Sequence, residues 1–250
     1  MNTRRLFVVV LLVTAVAAPA ALAGSTGTTP LTGAVSLVDH SWYCRGPVNL
    51  SSVTVVIKTA QIDAVHLASG CNGRIAKLTV VQYHGDGVKI GPGAHDLTVA
   101  SGSIRCFAHD PGKHQDGVQA MGGQRITFLG LDDQCLSANN SAMFVSEGSN
   151  NLQRPTDIVC SGCYFAGGGF PVRIAASLDS GIRYSRICLG KFGSVRISPG
   201  IAVSPVDVGT QVLTCGTNAT PTTSTTTKTT AAKTSTTEPT HHRKKKRSTN

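Results

Sequence analysis

Charge and aromatic rings are both scarce in this chain. Only 14% of its 250 residues are Asp, Glu, Lys or Arg, and 5% are aromatic, with a single tryptophan, Trp42. Beyond the first two dozen residues no apolar run approaches the roughly 20 residues that cross a bilayer, so no membrane span is expected. No nucleotide-binding loop, kinase motif or nucleophile elbow occurs, and Gly91-Pro92-Gly93 and Gly167-Gly168-Gly169 read as turns, not phosphate cradles. Paired CxxC motifs of the zinc-binding kind are missing: Cys160-Ser161-Gly162-Cys163 stands alone. Helical periodicity is nearly absent too.

Most of the net charge of +10 sits at the ends. From Gly216 onward there are seven Lys/Arg against one Glu, and Arg4 and Arg5 lie near the start, leaving 14 basic and 12 acidic residues between 24 and 215. A nearly neutral middle gives no reason to expect a nucleic-acid partner.

Residues 1–23 read as an export signal: Arg4 and Arg5, an apolar run from Leu6 to Ala18, and the small-residue site Ala21-Leu22-Ala23. Thr3-Arg4-Arg5-Leu6-Phe7 is also a partial twin-arginine pattern. Residues 216–250 are Thr-rich and end in His241-His242-Arg243-Lys244-Lys245-Lys246-Arg247. With so little to bury, this tail is expected to be disordered, its basic end suited to an anionic surface or simply solvated. The expectation is a secreted monomer, held at or near a cell surface. Eight cysteines between Cys44 and Cys215, an even number in an exported chain, are best read as disulfides.

The middle of the chain repeats. Val65-His66-Leu67, Val88-Lys89-Ile90, Val118-Gln119-Ala120, Met143-Phe144-Val145, Val172-Arg173-Ile174 and Val195-Arg196-Ile197 recur at steps of 23, 30, 25, 29 and 23 residues. Each triplet has apolar outer residues and a mostly polar centre, as expected of a strand with one face buried. A second set follows in each unit: Leu78-Thr79-Val80, Leu97-Thr98-Val99, Ile126-Thr127-Phe128, Ile158-Val159-Cys160 and Ile182-Arg183-Tyr184. One such unit cannot bury its apolar face alone; stacked about 4.8 Å apart, the units form continuous parallel sheets around a narrow core. The expected fold is therefore all-β: a right-handed parallel β-helix of six to seven coils over residues 48–215, preceded by a cap region at 24–47 around Trp42.

His84-Gly85-Asp86-Gly87-Val88-Lys89, His114-Gln115-Asp116-Gly117-Val118-Gln119 and Gly122-Gly123-Gln124-Arg125-Ile126-Thr127-Phe128 resemble the coils of pectate-lyase-like right-handed β-helix proteins. The resemblance covers about residues 48–212 and specifies fold far more than activity. The coil register also pairs cysteines. Cys106 and Cys135 each lie nine residues after the start of a second strand, on adjacent coils, within disulfide reach. Cys163 with Cys188, and Cys44 with Cys71, are further expected pairs.

The register stacks polar residues as well. Asp63, Asp86 and Asp116 precede successive first strands, with His84 and His114 two positions earlier and Lys89 and Arg173 projecting from strand centres. Carboxylates about 5 Å apart would repel by roughly 3 kcal/mol per pair at an effective dielectric near 20. A bound cation, neighbouring bases or a retained proton must relieve that. Asp63, Asp86 and Asp116 would suit Ca²⁺ as a cofactor. His114, Asp116, Lys89, Arg173 and His84 are the catalytic candidates for β-elimination of a uronic-acid polymer. Against this stands a structural reading, since Asp-Gly is favoured wherever a turn leads into a strand.

Polygalacturonase-like hydrolysis is the weaker enzyme reading. Asp132-Asp133 and Pro171-Val172-Arg173-Ile174 resemble pieces of that family's motifs, but the Asp pair falls in a loop, Asn139-Asn140-Ser141 takes its place, and the Gly-His-Gly is missing. A carbohydrate-binding or structural surface protein without catalysis is the other alternative. In every version the partner is a polysaccharide or cell-wall glycan.

Overall fold

The computed structural model describes residues 29–107, 114–135, 141–146, 154–175, 180–197 and 209–215. The segment expected to be an export signal, the Thr-rich tail, Asn139 and Asn140 lie outside the described residues. The described chain is a parallel β-solenoid of about six turns with three strand-bearing faces. Its first face is a seven-stranded parallel sheet: Trp42–Cys44, Val65–Leu67, Val88–Ile90, Val118–Ala120, Met143–Val145, Val172–Ile174 and Val195–Ile197. Every triplet identified from the repeat pairs with the next without a register shift. Trp42–Cys44, in the region expected to cap the helix, already occupies this face, aligned with Val65–Leu67.

The other two faces belong to one thirteen-stranded sheet. The long strand Pro47–Ile57 joins them: its first half pairs with Asn72–Ile75 and its second half with Leu78–Gln82. The second face continues through His95–Val99, Gln124–Leu129, Thr156–Ser161 and Gly181–Arg183. The third runs through Gly102–Cys106, Leu131–Cys135, Tyr164–Gly167, Arg186–Cys188 and Gln211–Leu213. Leu31–Val38 pairs parallel to Pro47–Ile57 and is largely exposed.

Three expectations change here. Leu78-Thr79-Val80 belongs to the third face, and the second-face strand of that coil is Asn72–Ile75, whose Gly and Arg hide the apolar pattern. Ile182 pairs with Cys160 rather than Ile158, a two-residue slip. Asp132-Asp133 lie within the strand Leu131–Cys135 and not in a loop.

Inward side chains from all three faces form one continuous core, Val65, Val88, Val118 and Val172 from the first face meeting Leu97, Ile126 and Ile104 from the others. A column of like side chains at strand spacing buries each apolar group against its copies above and below, so insertions between strands leave the stack intact. Four disulfides fasten it: Cys44–Cys71, Cys106–Cys135, Cys160–Cys163 and Cys188–Cys215. The second matches the register argument, and the first is the expected tie from the cap region to the first coils. The Cys163–Cys188 pairing does not occur, because Cys163 closes on Cys160 across the turn at Gly162 while Cys188 reaches the last strand's Cys215.

Candidate ligand cleft on the first face

Asp63, Asp86 and Asp116 form a ladder, one per coil. Oδ1 of Asp63 accepts the backbone N–H of Asp86 at 2.9 Å, Oδ1 of Asp86 accepts that of Asp116 at 2.9 Å, and Oδ1 of Asp116 accepts that of Ser141 at 2.8 Å. Each carboxylate thus holds the turn of the next coil in place, the structural role expected of Asp before a strand. The glycines that follow are required by space, not by a left-handed backbone. A Cβ on Gly87 would lie 2.5 Å from the Gly117 carbonyl oxygen, and one on Gly117 would collide with the Asp133 carboxyl group.

The remaining carboxylate oxygens find partners on the strand beside them. Lys89 Nζ lies 3.2 Å from Asp63 Oδ2 and 3.5 Å from Asp86 Oδ2, so one ammonium bridges two coils. His66 Nε2 sits 3.7 Å from Asp63 Oδ2, and Gln119 Nε2 donates to Asp116 Oδ2 at 3.2 Å. Bridging bases, amide donors and backbone N–H groups therefore relieve the repulsion of the stacked acids. Burial still raises the Asp86 pKa above its ordinary value, with the Asp63 charge adding to it, against the lowering by the Asp116 N–H and Lys89. Burial pulls Lys89 downward, but the Asp63 and Asp86 carboxylates outweigh it and hold the ammonium above its usual pKa. Burial also lowers His66, with Asp63 opposing and Lys89 and Arg45 assisting.

Alongside this ladder opens a cleft of about 520 Å³. Asp63, Asp86, Lys89 and His114 supply its charged and titratable groups. Met121 and Phe144 supply its apolar wall, and Gln115 and Gln119 complete its polar lining. The Gln115 side chain is 2% exposed, and neither its Nε2 nor its Oε1 has a hydrogen-bond partner among the described residues; Gln119 Oε1 is likewise unpartnered and buried. An unmade hydrogen bond at a buried amide costs about 1–3 kcal/mol, so two such amides at a cleft wall point to a ligand.

Of the residues singled out from sequence, Asp63, Asp86, Lys89 and His114 come together in this cleft. Asp116 lies fully buried behind it, Arg173 stands over the Phe144 ring at 4.8 Å from its centroid, and His84 is not on the lining. Among the described residues no group of three or more His, Cys, Asp or Glu is arranged to hold a metal ion. The Asp63, Asp86 and Asp116 donors proposed for Ca²⁺ each spend one oxygen on a backbone N–H.

The strand centres of the first face make an outward ladder in register: Tyr43, His66, Lys89, Gln119, Phe144, Arg173 and Arg196. Tyr43 stacks on His66 with centroids 4.3 Å apart and planes 7° from parallel, and Arg45 lies 5.3 Å from the Tyr43 centroid. Phe144 brings a ring of this ladder to the cleft wall.

One residue, Gln115, carries no signal in the sequence reading, and another, Asp133, enters it only as half of an Asp pair expected in a loop. Gln115 stands between His114 and Asp116 and lines the cleft. Asp133 occupies an inward position between Ile104 and Phe165 on the third face, fully buried, with neither carboxylate oxygen partnered among the described residues. Burial drives its pKa well above the ordinary value, and Asp132 and Asp116 add to this while Arg105 opposes. The in-and-out alternation of Leu131-Asp132-Asp133-Gln134-Cys135 carries that signal, with Leu131, Asp133 and Cys135 inward. Comparison with protein-family models, with curated proteins and with solved structures finds no match for this chain.

Proposed function

We propose that this chain is an exported carbohydrate-binding β-solenoid that lays an extended glycan along its first face and seats one sugar unit in the Lys89–His114 cleft. The observation that carries the reading is the buried Gln115 amide, unpartnered and lining a 520 Å³ cleft beside a ladder of rings and cations. Sugar C–H faces pack on rings such as Phe144 and Tyr43, while hydroxyl groups complete buried amides. Four disulfides fit an oxidising extracellular setting. Polysaccharide lyase chemistry is the second reading, favoured by the position of His114 on the cleft beside Lys89 and Asp86. In it His114 takes the base role, since Lys89 is held as an ammonium by two carboxylates.

Affinity electrophoresis of the full chain through gels containing neutral and acidic polysaccharides tests the binding reading, with Phe144→Ala as the control. Retardation by at least one polysaccharide, lost in Phe144→Ala, is expected. Uniform mobility across the panel would end the proposal. Ultraviolet absorbance of unsaturated products, sensitive to His114→Ala, separates lyase action from binding.

A further inference from the structure

We infer that the cleft is a subsite for an uncharged, hydroxyl-rich sugar unit and that it disfavours a uronate. This deepens the glycan-binding reading and rests on it. The hydrogen-bonding groups on offer are mostly acceptors. Gln115 holds an unpartnered Oε1 and Nε2 buried at the wall, and Gln119, whose Nε2 is committed to Asp116, holds only an unpartnered Oε1 there. Asp86 Oδ2 and Asp63 Oδ2 face the same space and share a single ammonium, that of Lys89.

Two carboxylates stand against one ammonium in the lining, with His114 the remaining titratable group there, and burial keeps the neighbouring His66 toward its neutral form. A sugar hydroxyl both donates and accepts, so neighbouring hydroxyls satisfy the Gln115 donor and the acceptors around it together. A ligand carboxylate only accepts. It would confront Gln119 Oε1 and the Asp oxygens without a proton to give, and it would add a like charge to the excess already there. The Met121 and Phe144 wall suits the C–H face of a pyranose and contributes no charge.

Titration calorimetry on the full chain decides the matter, with neutral gluco-, galacto-, manno- and xylo-oligosaccharides set against oligogalacturonate and oligoglucuronate of equal length. A neutral oligomer is expected to bind, and each uronate about tenfold more weakly or worse, close to 1.4 kcal/mol. Gln115→Leu should melt at or above the wild type, because it removes an unpartnered buried amide, yet lose neutral-sugar affinity at least tenfold. Asp63→Asn keeps an oxygen for the Asp86 N–H and removes the excess charge, so it should narrow the gap between neutral and acidic oligomers. Uronates binding as tightly as neutral sugars, or Gln115→Leu binding normally, would overturn the inference and leave the glycan-binding reading standing. If no oligosaccharide of either class binds, both fall.

Discussion

Replacing Asp133 by leucine removes a carboxyl group that sits where its neighbours on the third face, Ile104 and Phe165, are apolar. Leucine branches at the same carbon and keeps the outline of the side chain. The neutral acid leaves hydrogen bonds unmade at a cost of about 1–3 kcal/mol, and two buried methyl groups add about 1.5 kcal/mol of transfer free energy less some overpacking. A net gain of roughly 2–4 kcal/mol corresponds to a Tm increase on the order of 5–15 °C for a domain of this size. The pH dependence is the sharper signature. A carboxyl group whose pKa is raised in the folded state has its proton bound equally in both states below the unfolded value near 4. Above that value the unfolded chain ionises first, and the wild type loses about 1.4 kcal/mol per pH unit until the folded Asp133 ionises. Urea titrations of wild type and Asp133→Leu between pH 4 and 7 should therefore diverge as pH rises, the variant gaining steadily. Equal stability with parallel pH profiles would refute the argument and mean that the Asp133 oxygens are partnered in solution.

Gly117→Ala should destabilise by roughly 1–3 kcal/mol through the collision with the Asp133 carboxyl group, and the loss should shrink in an Asp133→Ala background; thermal melts of the double-mutant cycle check it. Lys89→Met should lower stability by about 1–2 kcal/mol near neutral pH by leaving the mostly buried Asp86 without its cation. That penalty should fade as pH drops and Asp86, its pKa raised by burial, takes up a proton, which denaturant titrations at pH 7 and pH 3 would show. Opening Cys188–Cys215, which closes 27 residues, should cost about 3.5 kcal/mol, and opening Cys160–Cys163, which closes three, about 1.6 kcal/mol. Non-reducing peptide maps should recover both pairs and no Cys163–Cys188 peptide.

Six of the seven strands of the first face were legible in the sequence to the residue, since their triplets recur with apolar outer residues and each pairs with its own copies, while Trp42–Cys44 was assigned to the cap. The second face was read correctly where both outer residues are apolar, as at Leu97 and Ile126. It was misread at Asn72–Ile75, where Gly73 and Arg74 carry no hydrophobic signal and the apolar Leu78 of the next face stood in for them. Of the expected disulfides, Cys106–Cys135 followed from the register and Cys44–Cys71 from the cap expected around Trp42. The third failed because spacing along the chain does not say whether a cysteine pairs across a turn or across coils.

Composition and periodicity by themselves determined a stacked β architecture, its strand-to-strand register on one face, and the alignment of Asp63, Asp86 and Asp116 into a column. Those are consequences of alternation and repeat length, which are properties of the chain. Only the tertiary structure decided what the column does. Whether an aspartate caps a turn, pairs with Lys89 or lies inside the core depends on the distances between coils and on how much water reaches each carboxyl group. The same physics separates Gln115, unpartnered at a cleft wall, from Gln124 on an outer edge of the second face, though the two are indistinguishable as letters.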